Sequence, residues 1–399
     1  MTALSPPSKT PARAIAFLAL ATFSSSAMVR VVDALLPQIA SDLNTSVGIA
    51  SIVVTVYAFV HASSLLISGP IGDRIGKYRS IVIACALSTV TVALCGLAQS
   101  LSVLTLARLA SGITVAWIVP LALAFIGDVV PYDQRQKVIG RFLAGQIAGQ
   151  LFGQAAGGVI GDYFGWRVVF FVLATLFAIA TAALVFELAA NPLTRPTSRP
   201  GSGHLLADYT IVLTNPWARF VLLVTAIEAA LVFGPFAYVG ADLHLRFGLS
   251  FSAVGLVVAT FAIGGLAYAA TVRALMDRLG QVRIATLGGF VMGIAFLVLA
   301  MLPTWALAPI AVTGIGYGFY MLHNTLQTVS TQMSPEARGT ALGLFAAAYY
   351  FGQSAGAALG APVIDRFGAP PLFLLSALLL PPLAWWFTLH LRRQRTPLS

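Results

Sequence analysis

Four charged residues lie within long apolar stretches of the sequence: Arg30, Asp33, Arg108 and Glu228. A charged side chain at the centre of a membrane helix costs about 2.5–3.5 kcal/mol on insertion scales, so such residues are rare and tend to carry function. A carboxyl group held in such surroundings is suited to taking up and releasing protons. We therefore predict that Asp33 and Glu228 exchange protons, and that Arg108 alters this exchange if it approaches Asp33.

The two acidic residues differ in their sequence surroundings. Asp33 follows Arg30 by three residues, which places both on one face of a helix, so a simple ion pair is the alternative to proton exchange. Glu228 lies about 16 Å along its predicted helix, near the middle of a membrane, and no basic residue follows it within one turn. We predict that Glu228 is unpaired; the alternative is a neutral, hydrogen-bonded glutamic acid in the core.

Further polar and aromatic residues within the apolar stretches are candidates for lining a substrate cavity. Gln146, Gln150 and Gln154 recur every four residues and form one polar stripe on a helix. An adjacent stripe of glycines suits close packing of that helix against a neighbour. The predicted cavity residues are Arg30, His61, Gln146, Gln150, Phe233, Tyr317, His323, Asn324 and Tyr349.

The composition indicates the environment in which these residues act. Of the 399 residues, 58% are hydrophobic and 9% are charged, whereas soluble proteins contain about 25% charged residues. Long runs rich in Leu, Ala, Val and Gly indicate membrane helices rather than the alternating segments of a β-barrel. The two cysteines, Cys85 and Cys95, lie on one predicted helix and are too far apart to form a disulfide with each other.

Twelve apolar runs predict an all-α membrane protein with twelve transmembrane helices in two pseudo-symmetric six-helix bundles. The runs cover residues 14–36, 48–69, 79–98, 102–126, 138–160, 168–189, 217–239, 250–271, 283–302, 305–328, 339–361 and 371–390. The predicted units are a tail at 1–13, a first bundle at 14–189, a linker at 190–216, a second bundle at 217–391 and a tail at 392–399. The linker contains several Pro, Arg and Gly residues, which is typical of a flexible connection.

The basic residues predict the orientation in the membrane. Of 23 Lys and Arg residues, 18 fall in the N-terminal tail, the even-numbered loops or the C-terminal tail, and three fall in the odd-numbered loops. Loops rich in Lys and Arg stay in the cytoplasm. We therefore predict an inner-membrane protein with both termini in the cytoplasm. The same placement of charge argues against nucleic-acid binding.

The two halves of the sequence are related to each other. Asp73 and Asp277 are 204 residues apart. The pairs separated by 203 residues are Arg135 and Arg338, Gly140 and Gly343, Asp162 and Asp365, Gly165 and Gly368, and Phe170 and Phe373. A parallel repeat of six helices implies a pseudo-twofold axis along the membrane normal, with a substrate site between the halves near the middle of the membrane.

Residues 69–79, G-P-I-G-D-R-I-G-K-Y-R, form a charged turn between two apolar runs. They resemble the loop between helices 2 and 3 of the major facilitator superfamily, and residues 104–112 resemble its helix 4 pattern around Arg108. Residues 149–158 resemble the helix 5 signature of its antiporters, with Gln154 where that family usually has proline. The resemblance covers the whole chain. It implies a drug:proton antiporter-like transporter, in which Arg108 faces the cavity and tunes nearby acids.

Charged residues at the cytoplasmic edge are predicted to form a gate that opens and closes as the two halves move. The second copy of the loop, around Asp277 and Arg278, repeats the spacing of the first. The predicted gating residues are Gly69, Asp73, Arg74, Gly76, Arg79, Asp128, Arg135, Asp277 and Arg278.

These features together predict a proton-coupled exporter of small lipophilic or amphipathic compounds that works by alternating access and is not an enzyme. One alternative is a proton symporter that imports a sugar, organic acid or other small metabolite, with Arg30 or Arg108 holding an anion. Another is a membrane sensor, scaffold or lipid-handling protein that does not transport. The sequence contains no nucleotide-binding motif and no metal-ligand spacing, so we expect no cofactor, metal or ATP. The expected partners of this monomer are its substrate, protons and the lipid bilayer.

Overall fold

The structure is a computed structural model that describes residues 12–194 and 205–395. Most of the predicted tails and residues 195–204 of the predicted linker lie outside the described residues. The α-helices, numbered along the chain, are α1 (Ala12–Arg30), α2 (Val32–Asp42), α3 (Val47–Ala50), α4 (Ile52–Ile75), α5 (Lys77–Gly96), α6 (Leu101–Val115), α7 (Ile118–Val129), α8 (Tyr132–Phe164), α9 (Trp166–Ala190), α10 (Leu205–Thr214), α11 (Pro216–Phe236), α12 (Val239–Phe247), α13 (Phe251–Ala300), α14 (Ala308–Ser330), α15 (Arg338–Phe367) and α16 (Pro370–Arg395).

Several membrane spans are built from two consecutive helices, and one long helix contains two spans. In the described part of the chain, nine helical stretches are long and apolar enough to cross a membrane. One of them, α13, is two helices, because Gly280 has non-helical backbone angles. With the more polar α8 and α15 added, the helices are consistent with twelve spans. We number them span 1 (α1–α2), span 2 (α3–α4), span 3 (α5), span 4 (α6–α7), span 5 (α8), span 6 (α9), span 7 (α11–α12), spans 8 and 9 (α13 before and after Gly280), span 10 (α14), span 11 (α15) and span 12 (α16).

Successive spans alternate in direction, so the molecule has two ends. We call the end where α1 begins, with turns at Gly76 and Gly280, the basic face. The opposite end, with turns at Gly165 and Gly248, is the far face. All four glycines have positive φ angles between 64° and 98°, a region that glycine adopts without a steric penalty. Spans 1–6 are named the first half and spans 7–12 the second half.

Glycines set the distance between helices at equivalent places in the two halves. Span 5 packs on span 1, and span 11 packs on span 7. A Cβ on Gly153 would lie less than 3.0 Å from the backbone of Ala27, and a Cβ on Gly356 would lie equally close to Ala230. Both glycines and both alanines are related by 203 residues. The sequence repeat is therefore also a repeat of packing, and the predicted role of the helix 5 glycines in close packing is confirmed.

These contacts predict which glycines tolerate an added methyl group. Gly153→Ala and Gly356→Ala are each expected to lower the free energy of unfolding by about 1–3 kcal/mol, because the facing backbone has to move away. Gly343 is the matched control, since no atom from another helix in the described part of the chain would lie within 4 Å of its Cβ. Gly343→Ala should be neutral or stabilising by up to about 1 kcal/mol. Thermal unfolding in detergent measures all three variants, and equal melting temperatures for them would contradict the packing account.

The predicted flexible linker contains a regular helix. Residues Leu205–Thr214 form α10, which packs against α11 and α15 of the second half. The prediction relied on the Pro and Gly residues before this segment and neglected the run LLADYTIVLT, which is mostly apolar and contains no Pro or Gly. The prediction of a flexible connection was therefore wrong for residues 205–214. The boundaries of the two predicted bundles stay a prediction.

Candidate functional site

Asp33 lies at the start of α2, directly after the break in span 1, and is almost completely buried. Its Oδ2 atom is 3.8 Å from Nη1 of Arg30, and Nε2 of Gln154 in span 5 donates to the same oxygen at 3.4 Å. The i,i+3 pairing with Arg30, which the sequence allowed as the alternative to proton exchange, is therefore present. The glutamine that replaces the family's proline provides a second partner for the carboxylate, a role that the sequence pattern did not indicate.

Arg30 connects the first half to the second. Its Nη2 atom donates to the hydroxyl oxygen of Tyr349 in span 11 at 2.9 Å, and its guanidinium lies 3.9 Å from the ring centre of Phe233 in span 7. A guanidinium over an aromatic face gains electrostatic attraction, and the gain is larger when both groups are desolvated. Arg30 is buried, and the same guanidinium therefore contacts Asp33 and two residues of the opposite half.

Glu228 in span 7 is paired, so the prediction of an unpaired carboxylate was wrong. Its Oε2 atom lies 2.8 Å from Nδ1 of His323 in span 10, and the carboxylate is fully buried. The partner comes from another span, 95 residues along the chain, so a search for a cation within one helical turn could not find it. Its second oxygen, Oε1, has no hydrogen-bond partner among the residues that the structure describes.

Tyr349 lies between the two acidic residues. It accepts the hydrogen bond from Arg30, and its ring centre is 5.3 Å from that of His323. The ring of His323 also stacks on Phe319 at 4.6 Å. One tyrosine of the second half therefore contacts a partner of Asp33 and a partner of Glu228. The two carboxylates are therefore linked through Arg30, Tyr349 and His323, a set of residues that we call the central site, and a substrate site between the halves stays a prediction.

Arg108 in span 4 does not form an ion pair with Asp33. Its Nε donates to the carbonyl of Val53 at 3.2 Å, its Nη1 donates to the carbonyl of Met28 at 3.5 Å, and its guanidinium lies 3.8 Å from the ring centre of Tyr57. Arg108 is buried and joins spans 1, 2 and 4. In this conformation the guanidinium therefore holds the first half together behind the central site, and its predicted effect on Asp33 would act through space.

Aromatic rings continue from Tyr57 to the central site. The ring of His61 is 5.6 Å from Tyr57 in the same span and 4.2 Å from Tyr350 in span 11. The rings of Tyr349 and Tyr350 are 5.0 Å apart and nearly perpendicular. The hydroxyl of Tyr57 and Nδ1 of His61 are buried without a partner in the described part of the chain. Tyr350 is a site residue that sequence reasoning missed, because an aromatic residue in an apolar run carries no signal that separates a site from ordinary packing.

The remaining predicted cavity residues divide into two groups. Gln146, Gln150 and Asn324 are partly exposed and lie on spans 5 and 10 between the central site and the basic face. Tyr317 lies apart, because its hydroxyl is 3.0 Å from that of Thr271 and its ring packs on Tyr268 in span 8. Asn324 also contacts Tyr268 through a side-chain hydrogen bond. The contacts therefore bring together Arg30, His61, Phe233, His323 and Tyr349, whereas Tyr317 and Asn324 share a cluster within the second half.

The charged turn at residues 69–79 is tied to its own half. Nζ of Lys77 lies 2.5 Å from Oδ2 of Asp128 and 3.8 Å from Oδ1 of Asp73. Arg135 donates to the carbonyls of Gly127 and Val130 at 2.6 and 3.3 Å. Exposed positions among the other predicted gating residues are Gly69, Arg74, Arg79, Asp277 and Arg278. The role of these residues as a gate between the halves stays a prediction.

The far face is closed by two matching contacts between the halves. Asp162, at the end of span 5, accepts from the backbone N and Oγ of Ser252 at 3.1 and 2.6 Å. Asp365, at the end of span 11, accepts from the backbone N of Gly48 at 2.8 Å and from Oγ of Ser46 at 2.6 Å. Each carboxylate therefore caps the first turn of a span in the opposite half, where the helix dipole favours a negative charge. We call these two contacts the far-face clasps.

Further close contacts lie beside the far-face clasps. The hydroxyl of Tyr238 in span 7 donates to the carbonyl of Ala357 at 2.6 Å and lies 2.9 Å from Oγ of Ser51 in span 2. A Cβ on Gly158 would lie 2.7 Å from the Cα atom of Gly255. The halves are therefore in backbone contact at the far face, while the residues on the basic-face side of the central site are partly exposed.

Two cavities in the structure lie away from the central site. One, of about 240 Å³, is lined by Trp385, Arg392 and neighbouring residues of spans 9 and 12. The other, of about 160 Å³, is at the far face beside Gln38 and Arg167. Neither contains an acidic residue from the membrane interior. The buried acids and their partners, rather than cavity size, therefore identify the candidate site.

Known proteins share both the sequence pattern and the fold. The chain matches the Major Facilitator Superfamily over residues 18–356 and 229–398. It is 26% identical to the uncharacterized MFS-type transporter YceJ of Bacillus subtilis (strain 168), with 86% of this chain and 89% of that protein covered. It is 27% identical to a probable sugar efflux transporter of Pasteurella multocida (strain Pm70), with 95% and 94% covered.

A solved structure with the same fold is that of the nucleoside transporter NupG. The two share 14% sequence identity with a TM-score of 0.77, over 94% of this chain and 99% of that one. At this identity the likeness concerns the fold alone. The match over most of the sequence, the helical repeat and the two halves around buried charges together lead to one conclusion. The chain belongs to the Major Facilitator Superfamily and is a membrane-spanning protein of that family's transporter fold.

Proposed function

We propose that the protein is a secondary transporter that exports a small molecule in exchange for protons by alternating access. The observation that carries this proposal is the pair of buried carboxylates, one in each half, whose partners Arg30 and His323 both contact Tyr349. Asp33 contacts it through Arg30, and Glu228 contacts it through His323. A proton that changes either pair therefore changes the contacts between the halves.

The proton cycle follows from the partners of each acid. Protonation of Asp33 weakens its attraction to Arg30, so the guanidinium is freer to leave Tyr349 when the halves separate. Protonation at Glu228 and His323 alters a pair that lies against the same tyrosine. A proton-coupling group has to exchange protons with each side of the membrane in turn. We therefore place both acids on the path that opens alternately to the basic face and the far face.

The proposed substrates are small lipophilic or amphipathic molecules. Phe319, Phe345 and Tyr349 provide aromatic area around the ring of His323, and Tyr350 extends it from Tyr349 to His61. Sites for small organic ligands are largely apolar with a few polar groups that orient the ligand. The similarity to a probable sugar efflux transporter supports the outward direction. In this proposal the basic face is cytoplasmic, in accord with the Lys and Arg count.

A vesicle experiment tests the coupling and the direction. Inside-out vesicles that contain the protein and have an acidic lumen are mixed with tetraphenylphosphonium, ethidium or a panel of sugars, and the luminal pH is followed. Exchange predicts that an exported compound makes the lumen more alkaline, about 100-fold faster than in vesicles with the Asp33→Asn variant. A compound that leaves the vesicles together with protons would instead favour the symport alternative. If no compound moves the pH or accumulates, the proposal of transport by proton exchange fails.

A further inference from the structure

Pro70 leaves one backbone carbonyl of span 2 without its helical partner. The proline lies inside α4 and has no N–H, so the carbonyl of Leu66, four residues earlier, loses the donor that a regular helix supplies. In a membrane span such a carbonyl needs another donor, because an unpaired polar group away from water is costly. Helix α10, which packs against the second half, supplies one.

The hydroxyl of Tyr209 in α10 donates to the carbonyl of Leu66 at 2.5 Å. The same solution occurs within the second half, where Pro235 frees the carbonyl of Leu231 and Oγ of Ser376 donates to it at 2.5 Å. The two bonds are chemically alike and differ in what they join. The Ser376 bond connects two spans of one half, whereas the Tyr209 bond reaches span 2 of the first half.

Helix α10 is attached to the second half through Asn215, the residue between α10 and α11. Its Oδ1 accepts from the backbone N atoms of Trp217 and Ala218 at 2.9 and 3.2 Å, so it caps span 7. Its Nδ2 donates to the carbonyl of Met333, before span 11, at 3.0 Å. Because Asn215 holds the end of α10 to two spans, Tyr209 moves with the second half while Leu66 moves with the first.

We propose that Tyr209 is a positioning residue of the transport cycle, which binds the carbonyl freed by Pro70 and so holds the protein in the conformation with a closed far face. Leu66 lies three residues before Gly69, where the charged turn between spans 2 and 3 begins. The bond is therefore next to the segment that the sequence pattern assigns to gating. The inference rests on alternating access: because Tyr209 is attached to the second half and Leu66 lies in the first, we expect rocking of the halves to separate the two partners.

A double-mutant cycle tests this role through the accessibility of the far face. Val254 is fully buried beside Ser252 and Gly255, which both contact the first half. A Val254→Cys reporter, in a background with Cys85 and Cys95 replaced by Ala, is labelled from the far face with a membrane-impermeant maleimide. Tyr209→Phe should raise the labelling rate about five-fold, the factor that corresponds to about 1 kcal/mol for one net hydrogen bond.

The Pro70→Ala variant makes the test specific for the freed carbonyl. An alanine at this position has an N–H and would restore the helical donor to Leu66, so adding Tyr209→Phe in that background should change the labelling rate less than about two-fold. Ser376→Ala is the matched control: it removes the analogous bond within one half and should leave the labelling rate unchanged. Thermal unfolding checks that every variant is folded.

Two results would overturn the proposal. One is an unchanged labelling rate in Tyr209→Phe, and the other is an equal increase in the Pro70 and Pro70→Ala backgrounds. Labelling needs neither a substrate nor a proton gradient. A protein that fails the vesicle experiment can therefore still show the predicted labelling rates in the double-mutant cycle. Labelling rates that contradict the role of Tyr209 would leave the proton-exchange proposal standing.

Discussion

Glu228→Gln is expected to lower proton-driven transport about 100-fold, the order of magnitude that the loss of a positioned proton-transfer group produces. Glutamine has the shape of the protonated acid and can still bond to His323, which lies 2.8 Å from the carboxylate in the wild type. It cannot take up or release a proton. Transport in vesicles with an imposed pH gradient measures the loss.

A second measurement separates proton coupling from substrate binding. Exchange of labelled for unlabelled substrate without a pH gradient needs no net proton movement, so Glu228→Gln should retain it at close to the wild-type rate. Glu187→Gln is the matched control. Glu187 is also buried, but its partners are Arg13 and Asn191 at the basic face of the first half, far from Tyr349, and its loss should leave proton-driven transport unchanged.

Asp33→Asn should likewise lower proton-driven transport and retain substrate exchange without a pH gradient. It should differ from Glu228→Gln in its effect on stability. The loss of the carboxylate leaves Arg30 with Tyr349 and the ring of Phe233 as its remaining contacts, so the charge stays buried without its counter-ion. This costs stability as well as coupling. If both Glu228→Gln and Asp33→Asn retain proton-driven transport, the assignment of these carboxylates to proton coupling is wrong.

Loss of a far-face clasp is the second large expected effect. Asp162→Ala removes the acceptor of the two hydrogen bonds from Ser252, and Asp365→Ala removes the acceptor of the bonds from Gly48 and Ser46. Hydrogen bonds to a charged group contribute about 1.5–3 kcal/mol. We expect each variant to raise the labelling rate of the Val254→Cys reporter at least ten-fold, and the double variant to raise it further.

The two clasps are related by the sequence repeat, and this relation supplies the internal control. Because the contacts are equivalent, the two single variants should have effects of similar size. A strong effect of one clasp and none of the other would contradict the idea that both hold the far face closed. Asp42→Ala tests specificity, because Asp42 bonds to Arg167 and Trp166 at the far face within the first half only.

The contribution of the Asp162 clasp to the closed conformation depends on pH, and it is lost under acid conditions. Asp162 lies in the last turn of α8, whose 33 residues exceed the roughly 20 that cross a membrane, and it follows the apolar run at 138–160. Burial tends to raise its pKa, but the hydrogen bonds from the side chain and backbone of Ser252 outweigh this and hold the pKa below the ordinary value. The closed conformation therefore binds the proton more weakly than an open one with a free carboxylate. The stabilisation of the closed state is complete above the ordinary pKa of about 3.9 and is lost as the pH falls through the lowered pKa.

This pH dependence predicts a labelling profile. The rate for the Val254→Cys reporter should be flat between neutral pH and about pH 5, and should rise under more acid conditions as the Asp162 carboxylate becomes protonated. The measurement needs a reagent whose own reactivity is calibrated at each pH. In the Asp162→Ala background the part of the acid rise that belongs to this clasp should disappear.

The chain's local chemistry accounts for the helices and for the repeat. A membrane requires about 20 apolar residues per span, so the runs of the sequence predicted where helices lie. Some of the pairs 203 residues apart reflect positions where a glycine or a carboxylate makes an equivalent contact in each half. Gly153 and Gly356 pack at equivalent places, and Asp162 and Asp365 cap equivalent helices. The buried acids could also be recognised from the sequence, because a charged residue within an apolar run stands out from its neighbours.

The contacts between these groups were decided by packing between helices that are far apart in the chain. His323 lies 95 residues from Glu228, and Gln154 lies 121 residues from Asp33. The hydrogen-bond partners Tyr209 and Leu66 are likewise 143 residues apart. A sequence pattern reports neighbours one helical turn away, whereas these pairs depend on how the spans are rotated and how closely they approach. Sequence periodicity therefore determined which groups are buried, and only the tertiary contacts decided which of them meet and whether a pair joins the two halves.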